Sequence, residues 1–160
     1  MPTLHLIVGL PGAGKTTYAK RLEQEIHALR FSPDEWIHPL YGADIAGEAL
    51  DAVRYPVEGV CWKVGSDALK LGVDVILDFG FWAKEERDDY RARAAALGVE
   101  TQIHYLPATK EELKERIELR NLNLTPGELY VSTDQIEEWW AIFQPPKDEE
   151  LGLPTPNSSC

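Results

Sequence analysis

Several kinds of residue are scarce in this 160-residue chain, and each scarcity excludes a class of protein. The two cysteines, Cys61 and Cys160, and the four scattered histidines have neither redox nor metal-ligand spacing, so no zinc site is expected. No apolar run approaches the length of a membrane span. Because a strand pattern begins within the first residues, we also expect no signal peptide and a cytoplasmic location.

Basic residues are also scarce in comparison with acidic ones. Sixteen lysines and arginines stand against 27 aspartates and glutamates, which gives a formal net charge of −11. Such a surface repels nucleic-acid backbones and anionic membranes. We therefore expect neither a membrane nor a long nucleic acid as partner, although a small local basic patch would still admit nucleic acid.

The length and the hydrophobic content of 44% are those of one folded domain, which we place at residues 1–146. Residues 147–160 are rich in proline, serine and acidic residues and are predicted to form a C-terminal tail without a strand. No internal repeat is found.

Strand patterns alternate with helical patterns along the chain. Strands are predicted at residues 3–8, 28–31, 73–78 and 100–106. Helices are predicted at residues 15–26, 44–70 with an interruption at 55–56, 84–97, 109–120 and 133–143. A further helix starts at residues 32–35, where Ser32 and Glu35 have the spacing of a capping box. The alternation predicts a parallel sheet with right-handed crossovers.

The most specific pattern is G-x-x-x-x-G-K-[ST], the phosphate-binding P-loop, at residues 9–16 between a strand and a helix. Its glycines let backbone N–H groups point at a polyphosphate, and the helix N-terminus favours the anion. Lys15 can reach the β- and γ-phosphates, and Thr16 can offer its hydroxyl to Mg²⁺. The nucleotide-binding residues are predicted to be Gly9, Pro11, Gly12, Ala13, Gly14, Lys15, Thr16 and Thr17.

Asp78 ends the predicted strand after three apolar residues, which is the Walker B pattern. An isolated aspartate of this kind is most often an ordinary strand-end carboxylate, but beside a P-loop it is predicted to hold Mg²⁺ together with Thr16. The next residue is Phe79. Because ATPases that use water often have a glutamate there, we favour group transfer over hydrolysis.

Asp34 stands just past the second predicted strand. In open α/β sheets the ligand crevice lies outside the carboxyl ends of the strands. An aspartate there can take the proton from an attacking hydroxyl and orient it toward the γ-phosphate. The alternative is an aspartate that only stabilises the first turn of a helix, and its position alone does not decide between the two.

Arg116 and Arg120 are four residues apart, so they share one helix face and can stabilise a phosphoryl group in transfer. The alternative is a solvated helix with a Glu112–Arg116 contact. The loop at residues 121–127 contains helix breakers and predicts a mobile lid. Five aromatic side chains could line an acceptor pocket, although such residues are more often core: Trp62, Trp82, Trp139, Trp140 and Phe143.

The layout resembles the small P-loop kinases related to polynucleotide 5′-hydroxyl kinases, zeta toxins and chloramphenicol phosphotransferase. The resemblance extends over residues 3–146 and rests on residues 9–16, 32–34, 75–78, 112–120 and 139–146. It implies an adenylate-kinase-like, three-layer α/β fold with about five parallel strands, a central P-loop strand and a helical lid. It also implies that Asp34 is the general base, that Arg120 is the lid arginine with Arg116 beside it, and that Asp78 lies near metal and acceptor.

These features predict a kinase that uses ATP and Mg²⁺ to phosphorylate a hydroxyl of a small molecule such as a sugar, nucleoside or antibiotic. Polynucleotide kinases that resemble this chain carry an arginine a few residues after the base, whereas residues 35–38 here contain none. A 5′-hydroxyl polynucleotide kinase is the alternative within the same class. An ATP-binding switch without an acceptor is the alternative from another class.

Overall fold

The computed structural model describes residues 1–124 and 130–152. The strands in these ranges are β1 (Thr3–Val8), β2 (Leu29–Phe31), β3 (Val75–Gly80) and β4 (Glu100–Tyr105). The helices are α1 (Lys15–Ile26), α2 (Pro33–Tyr41), α3 (Gly47–Lys70), α4 (Lys84–Ala96), α5 (Lys110–Leu122) and α6 (Thr133–Ile142). None of these helices combines the length and the apolarity that crossing a membrane requires.

The four strands form one parallel sheet in the order β2-β3-β1-β4. The α/β prediction is confirmed, and the P-loop strand β1 is central because it pairs with β3 on one side and β4 on the other. The described residues hold one strand fewer than the five or so expected. The chain after α6 adds no strand there, since Pro145 and Pro146 have no N–H to give to a ladder.

Both faces of the sheet are covered, as a parallel sheet requires. Side chains of β1 alternate between the two faces, so Leu4 and Leu6 pack in the large core that α3 and α4 share. Ile7 points to the opposite face and packs with Ala19 of α1. The sheet is therefore the middle layer of a three-layer sandwich.

The predicted interruption at residues 55–56 is wrong, because α3 is continuous from Gly47 to Lys70 with Pro56 inside it. A proline within a helix removes one hydrogen bond and costs roughly 3 kcal/mol in isolation. Val57, Cys61 and Leu69 of the same helix are buried in the core. Tertiary packing of this face offsets the local cost, which is the usual source of helix stability in proteins.

A smaller apolar cluster holds α5 and α6 against the loop that follows β1. Leu10 of that loop packs with Leu113 and Ile117 of α5 and with Ile136 of α6. This cluster places the helix that carries Arg116 and Arg120 directly beside the P-loop.

The segment after residue 146 is fastened to α4 by a buried ion pair. Arg87 Nε lies 3.1 Å from Glu150 Oε1, and Arg87 Nη2 lies 3.2 Å from Glu150 Oε2. Arg87 Nη1 also donates to the Phe81 carbonyl at 2.8 Å. The start of the predicted tail thus packs on the domain, while its residues 153–160 lie outside the described residues. The boundary at residue 146 stays a prediction.

A chain of polar side chains crosses the sheet face beneath α1. Tyr18 Oη lies 2.7 Å from His104 Nδ1, His104 Nε2 lies 2.9 Å from His5 Nδ1, and His5 Nε2 lies 3.3 Å from Asp74 Oδ2. The Asp74 carboxylate only accepts, so His5 donates to it and accepts from His104, which in turn accepts from Tyr18. In this arrangement each of the three contacts pairs one donor with one acceptor, provided that the rings of His5 and His104 are both neutral.

Acid is expected to destabilise the protein through His104. Burial first, and then the neighbouring His5, lowers the pKa of His104 from 6.5 to about 4. The unfolded chain therefore takes up this proton first, and the stability contribution is complete above about pH 6.5 and is lost as the pH falls toward 4. The ring is only half-buried, so we expect a loss of roughly 1–3 kcal/mol in the free energy of unfolding.

Urea denaturation at several pH values between 7 and 4 measures this loss. The His104→Gln variant should show a smaller loss than the parent. The matched control is His27→Asn, which replaces an exposed histidine at the left-handed C-cap of α1 and should keep the parental pH dependence. The same pH dependence in His104→Gln and the parent would show that another group is responsible.

Candidate nucleotide and phosphoryl-transfer site

The P-loop has the backbone conformation that its glycines permit. Gly12 has φ +89° and Gly14 has φ +90°, values that other residues rarely adopt. A Cβ on Gly12 would lie 3.2 Å from Ile117 Cγ1, so glycine is also needed for the close approach of α5. The Gly9 N–H donates to the Gly80 carbonyl at 3.1 Å, which ties the loop to β3. The loop opens on the first turn of α1, whose N–H groups are available to an anion.

Lys15 begins α1 at the point where charges from several elements meet. Burial lowers the pKa of its ammonium group, and the carboxylates of Asp78 and Asp34 oppose this change. The positive charges of Arg54 and Arg120 lower the pKa of Lys15 further. Four predicted site residues therefore interact electrostatically, and they come from α1, α2, β3 and α5.

Asp78 is 8% exposed and lies within β3, which continues for two residues beyond the predicted strand end. Its Oδ2 accepts hydrogen bonds from Thr16 Oγ1 at 3.1 Å and from Ser32 Oγ at 3.0 Å. Its Oδ1 is buried and has no hydrogen-bond partner among the residues that the structure describes.

These groups fit a magnesium ion. The Thr16 hydroxyl donates a hydrogen bond to Asp78, so the lone pairs of the Thr16 oxygen remain available to a cation. The second Asp78 oxygen is buried and unsatisfied, and Mg²⁺ prefers hard oxygen ligands of these kinds. Thr16 and Asp78 would hold the ion, either directly or through its water shell.

Asp34 lies in the first turn of α2, with its side chain 62% exposed. Its Oδ1 accepts a hydrogen bond from Arg54 Nη2 at 3.1 Å. Arg54 lies on α3, and sequence reasoning missed it because no local pattern connects two residues that are 20 positions apart. Only the packing of α2 against α3 brings the guanidinium group to Asp34.

Ser32 is the second residue that sequence reasoning misread. It occupies the N-cap position of α2, but its side chain makes no cap hydrogen bond, so the predicted capping box is wrong. The hydroxyl instead donates to Asp78, and the Glu35 carboxylate pairs with Arg30 at 3.2 Å. The Ser32 oxygen accepts from the charged Arg30 guanidinium at 2.7 Å in place of a helix N–H, since hydrogen bonds to charged groups are the stronger ones.

Arg116 and Arg120, the arginines predicted to act on the phosphoryl group, both lie on α5. Arg116 Nη1 donates to the Gly12 carbonyl at 3.3 Å, and Arg116 Nη2 also lies 3.7 Å from Glu112 Oε2. The predicted contact with Glu112 and the contact with the P-loop thus exist together. Arg120 lies in the last turn of the helix, where its charge acts on Lys15.

The predicted lid at residues 121–127 falls partly outside the described residues, because 125–129 are not described. On either side of that range, Asn121 Nδ2 donates to the Val131 carbonyl at 2.7 Å and Asn121 Oδ1 accepts from the Val131 N–H at 3.3 Å. These two bonds tie the end of α5 to the start of α6.

Four of the five aromatic residues considered for an acceptor pocket are partly buried and pack against the core clusters, namely Trp62, Trp82, Trp139 and Phe143. The Trp82 and Trp139 rings lie 5.8 Å apart, and both border the cluster beneath α5. Trp62 makes an edge contact with Tyr90 at 5.5 Å. Trp140 is 39% exposed and lies on a groove of about 560 Å³ along the start of α5.

Comparison with known proteins identifies relatives that are kinases. The chain is 32% identical over 117 residues to the shikimate kinase of Photobacterium profundum, an alignment that includes 69% of this chain. The chain spans 64% of the length of that relative.

Solved structures share the fold. A candidate kinase from Chloroflexus aurantiacus j-10-fl superposes with a TM-score of 0.73 and 18% identity, covering 99% of this chain and 84% of that one. The Pnkp1/Rnl/Hen1 RNA repair complex superposes with a TM-score of 0.68 and 20% identity, covering 88% of this chain and 43% of that one. At these identities the likeness concerns the fold alone.

A model of the AAA domain family matches residues 4–146. This range includes the P-loop, Asp34, Asp78, Arg116 and Arg120. The chain therefore belongs to the AAA domain family, and it is similar in sequence to a kinase.

Proposed function

We propose that the protein transfers the γ-phosphate of ATP, with Mg²⁺, to a hydroxyl of a small molecule. The observation that carries this proposal is geometric: Asp78 Oδ2 accepts hydrogen bonds from Thr16 of the P-loop at 3.1 Å and from Ser32, two residues before Asp34, at 3.0 Å. A nucleotide switch needs Lys15 and Asp78 only. Asp34, exposed in the first turn of α2, offers an acceptor hydroxyl a base.

Each residue has one task in this proposal. The Asp34 carboxylate accepts the proton of the acceptor hydroxyl while the hydroxyl oxygen attacks the γ-phosphorus, and the bond from the γ-phosphorus to the β,γ-bridging oxygen breaks so that ADP leaves. Lys15, Arg116 and Arg120 stabilise the charge on the phosphoryl oxygens during transfer. Bound Mg²⁺, held by Thr16 and Asp78, would neutralise phosphate charge. The fixed positions of these groups on a packed core limit the reorganisation that transfer requires.

The charges around Asp34 support a small acceptor. Burial raises the pKa of Glu58 on α3 to about 7, and the charges of Glu86 and Asp34 raise it further while Arg54 lowers it. Burial also raises the pKa of Glu86. Acidic groups whose charges act on one another in this region do not form the basic track that a polynucleotide backbone needs. The relative that shares 32% identity is named for a small molecule.

One observation favours a second candidate, the 5′-hydroxyl polynucleotide kinase. The sequence has no arginine shortly after Asp34, but the structure puts Arg54 at 3.1 Å from it. That guanidinium could bind an acceptor phosphate next to the reacting hydroxyl. A single arginine among carboxylates is a weaker support than the basic track that a nucleic acid needs.

Labelling with radioactive Mg-ATP distinguishes these candidates. The protein is incubated with a panel of sugars, nucleosides and hydroxyl-bearing antibiotics, or with a 5′-hydroxyl oligonucleotide. We expect a small molecule to be labelled, with little change as salt rises, because few phosphate contacts are involved.

The Lys15→Ala variant is the negative control for this assay and should lose labelling. Faster labelling of the oligonucleotide than of any small molecule would establish the second candidate. ATP binding without transfer to any acceptor would instead indicate a nucleotide switch.

A further inference from the structure

A continuous set of polar contacts runs from α1 through β2 to the P-loop. Arg30 Nε donates to Glu23 Oε2 at 3.1 Å, and Arg30 Nη1 donates to Ser32 Oγ at 2.7 Å. Ser32 Oγ donates to Asp78 Oδ2 at 3.0 Å, and the same carboxylate oxygen accepts from Thr16 Oγ1 at 3.1 Å. These contacts link elements that meet only in the folded protein.

The direction of each hydrogen bond in this set is determined by chemistry. A guanidinium group only donates, so the Ser32 oxygen must accept from Arg30. The single proton of the Ser32 hydroxyl is then available to Asp78, which as a carboxylate can only accept. The hydrogen bond from Arg30 thereby keeps the Ser32 hydroxyl in the orientation that donates to Asp78. The side chain of Arg30 is only 10% exposed, and Glu23 and Glu35 hold it in place.

These contacts determine the orientation of the Asp78 carboxylate. Two donors hold Oδ2, while Oδ1 is buried without a partner among the described residues. A buried oxygen without a partner is costly unless a ligand satisfies it. The two bonds to Oδ2 fix the orientation of the carboxylate, and hence where Oδ1 points.

We propose that Ser32 and Arg30 are positioning residues for the magnesium site, which orient Asp78 so that its Oδ1 is kept for the cation beside Thr16. The inference rests on the magnesium-nucleotide part of the proposed function. It does not depend on the identity of the acceptor. Partners that orient metal ligands from the second layer commonly change metal affinity about 10–100-fold when they are removed.

Magnesium dependence of nucleotide binding tests the inference without any measurement of activity. The melting temperature is followed at a fixed, saturating ATP concentration while Mg²⁺ is titrated from zero, with EDTA as the zero point. We expect Ser32→Ala to need about 10-fold more Mg²⁺ than the parent for half of the stabilisation. The shift given by ATP with EDTA should stay at the parental value, because Ser32 does not belong to the phosphate-binding loop.

Two further variants make the result specific. Ser32→Thr keeps the hydroxyl in the extended backbone of that position and should retain the parental Mg²⁺ midpoint. Ser66→Ala removes an exposed hydroxyl on α3 that donates to the Lys63 carbonyl, and it should match the parent. If Ser32→Ala does not fold, Arg30→Lys takes its place, with a smaller shift expected in the same direction.

The outcomes separate this inference from the proposed function. A Mg²⁺ midpoint for Ser32→Ala, or for Arg30→Lys in its place, that equals the parental one overturns the inference alone. A parent that shows no Mg²⁺ dependence overturns the magnesium site and the inference together. A shifted midpoint in a protein that phosphorylates no acceptor upholds the inference and rejects the kinase proposal.

Discussion

Replacing Asp34 by asparagine is expected to lower phosphoryl transfer by roughly 10²–10⁴-fold, the range typical of a lost general base. ATP affinity should stay near the parental value, because Asp34 lies outside the P-loop, is 62% exposed and accepts its hydrogen bond from Arg54. Asparagine keeps the shape of the side chain, and its carbonyl oxygen can still accept a hydrogen bond from Arg54. The measurements are single-turnover transfer to the identified acceptor and ATP binding by calorimetry.

The control for this variant is Asp148→Asn, which changes an exposed aspartate far along the chain in the C-terminal segment. It should transfer phosphate at the parental rate. If Asp34→Asn keeps its turnover but melts at a lower temperature, Asp34 is a helix-stabilising residue, which is the alternative that its position in the sequence left open.

Replacing Arg120 by alanine is expected to lower kcat on the order of 10³-fold or more, the effect of an arginine that stabilises phosphoryl transfer. The loss in ATP affinity should be much smaller, because the charge matters most in the transition state. Arg120 lies in the last turn of α5, one turn after Arg116, whose Nη1 donates to the Gly12 carbonyl of the P-loop, and this supports a role on the phosphates. Pre-steady-state transfer rates, compared with the dissociation constant for ATP, measure this difference.

Arg91→Ala is the matched control, because Arg91 is 40% exposed on α4 and pairs only loosely with Asp88 at 3.8 Å. It removes the same charge from the surface and should leave kcat unchanged. A loss of ATP affinity with an unchanged kcat in Arg120→Ala would mean that Arg120 binds ATP without favouring the transition state.

Features that depend on a few neighbouring residues could be predicted from the sequence. The P-loop conformation follows from glycines at 12 and 14, which both have positive φ angles. The bounds of β1 and α1 are confirmed, since apolar periodicity and the loop determine both. Thr109, three residues before Glu112, caps α5 by accepting a hydrogen bond from the Glu112 N–H.

Features that depend on competition between distant partners could not be predicted. A local pattern predicts that the Ser32 hydroxyl caps α2, whereas in the fold its oxygen accepts from Arg30 and its proton is donated to Asp78, a buried carboxylate 46 positions away. Local propensity breaks α3 at Pro56, whereas burial of the following residues keeps the helix whole. In both cases tertiary contacts are stronger than the local preference.

The sequence by itself determined that the protein has a nucleotide site on a parallel α/β sheet, because the motif and the alternation of elements are written in adjacent residues. The tertiary structure alone decided which side chains surround that site. Ser32 on Asp78, Arg54 on Asp34 and Glu150 on Arg87 join residues 46, 20 and 63 positions apart. Such pairs depend on how helices cross and on which polar groups become buried together. The spacing of apolar residues along a single helix or strand contains neither kind of information.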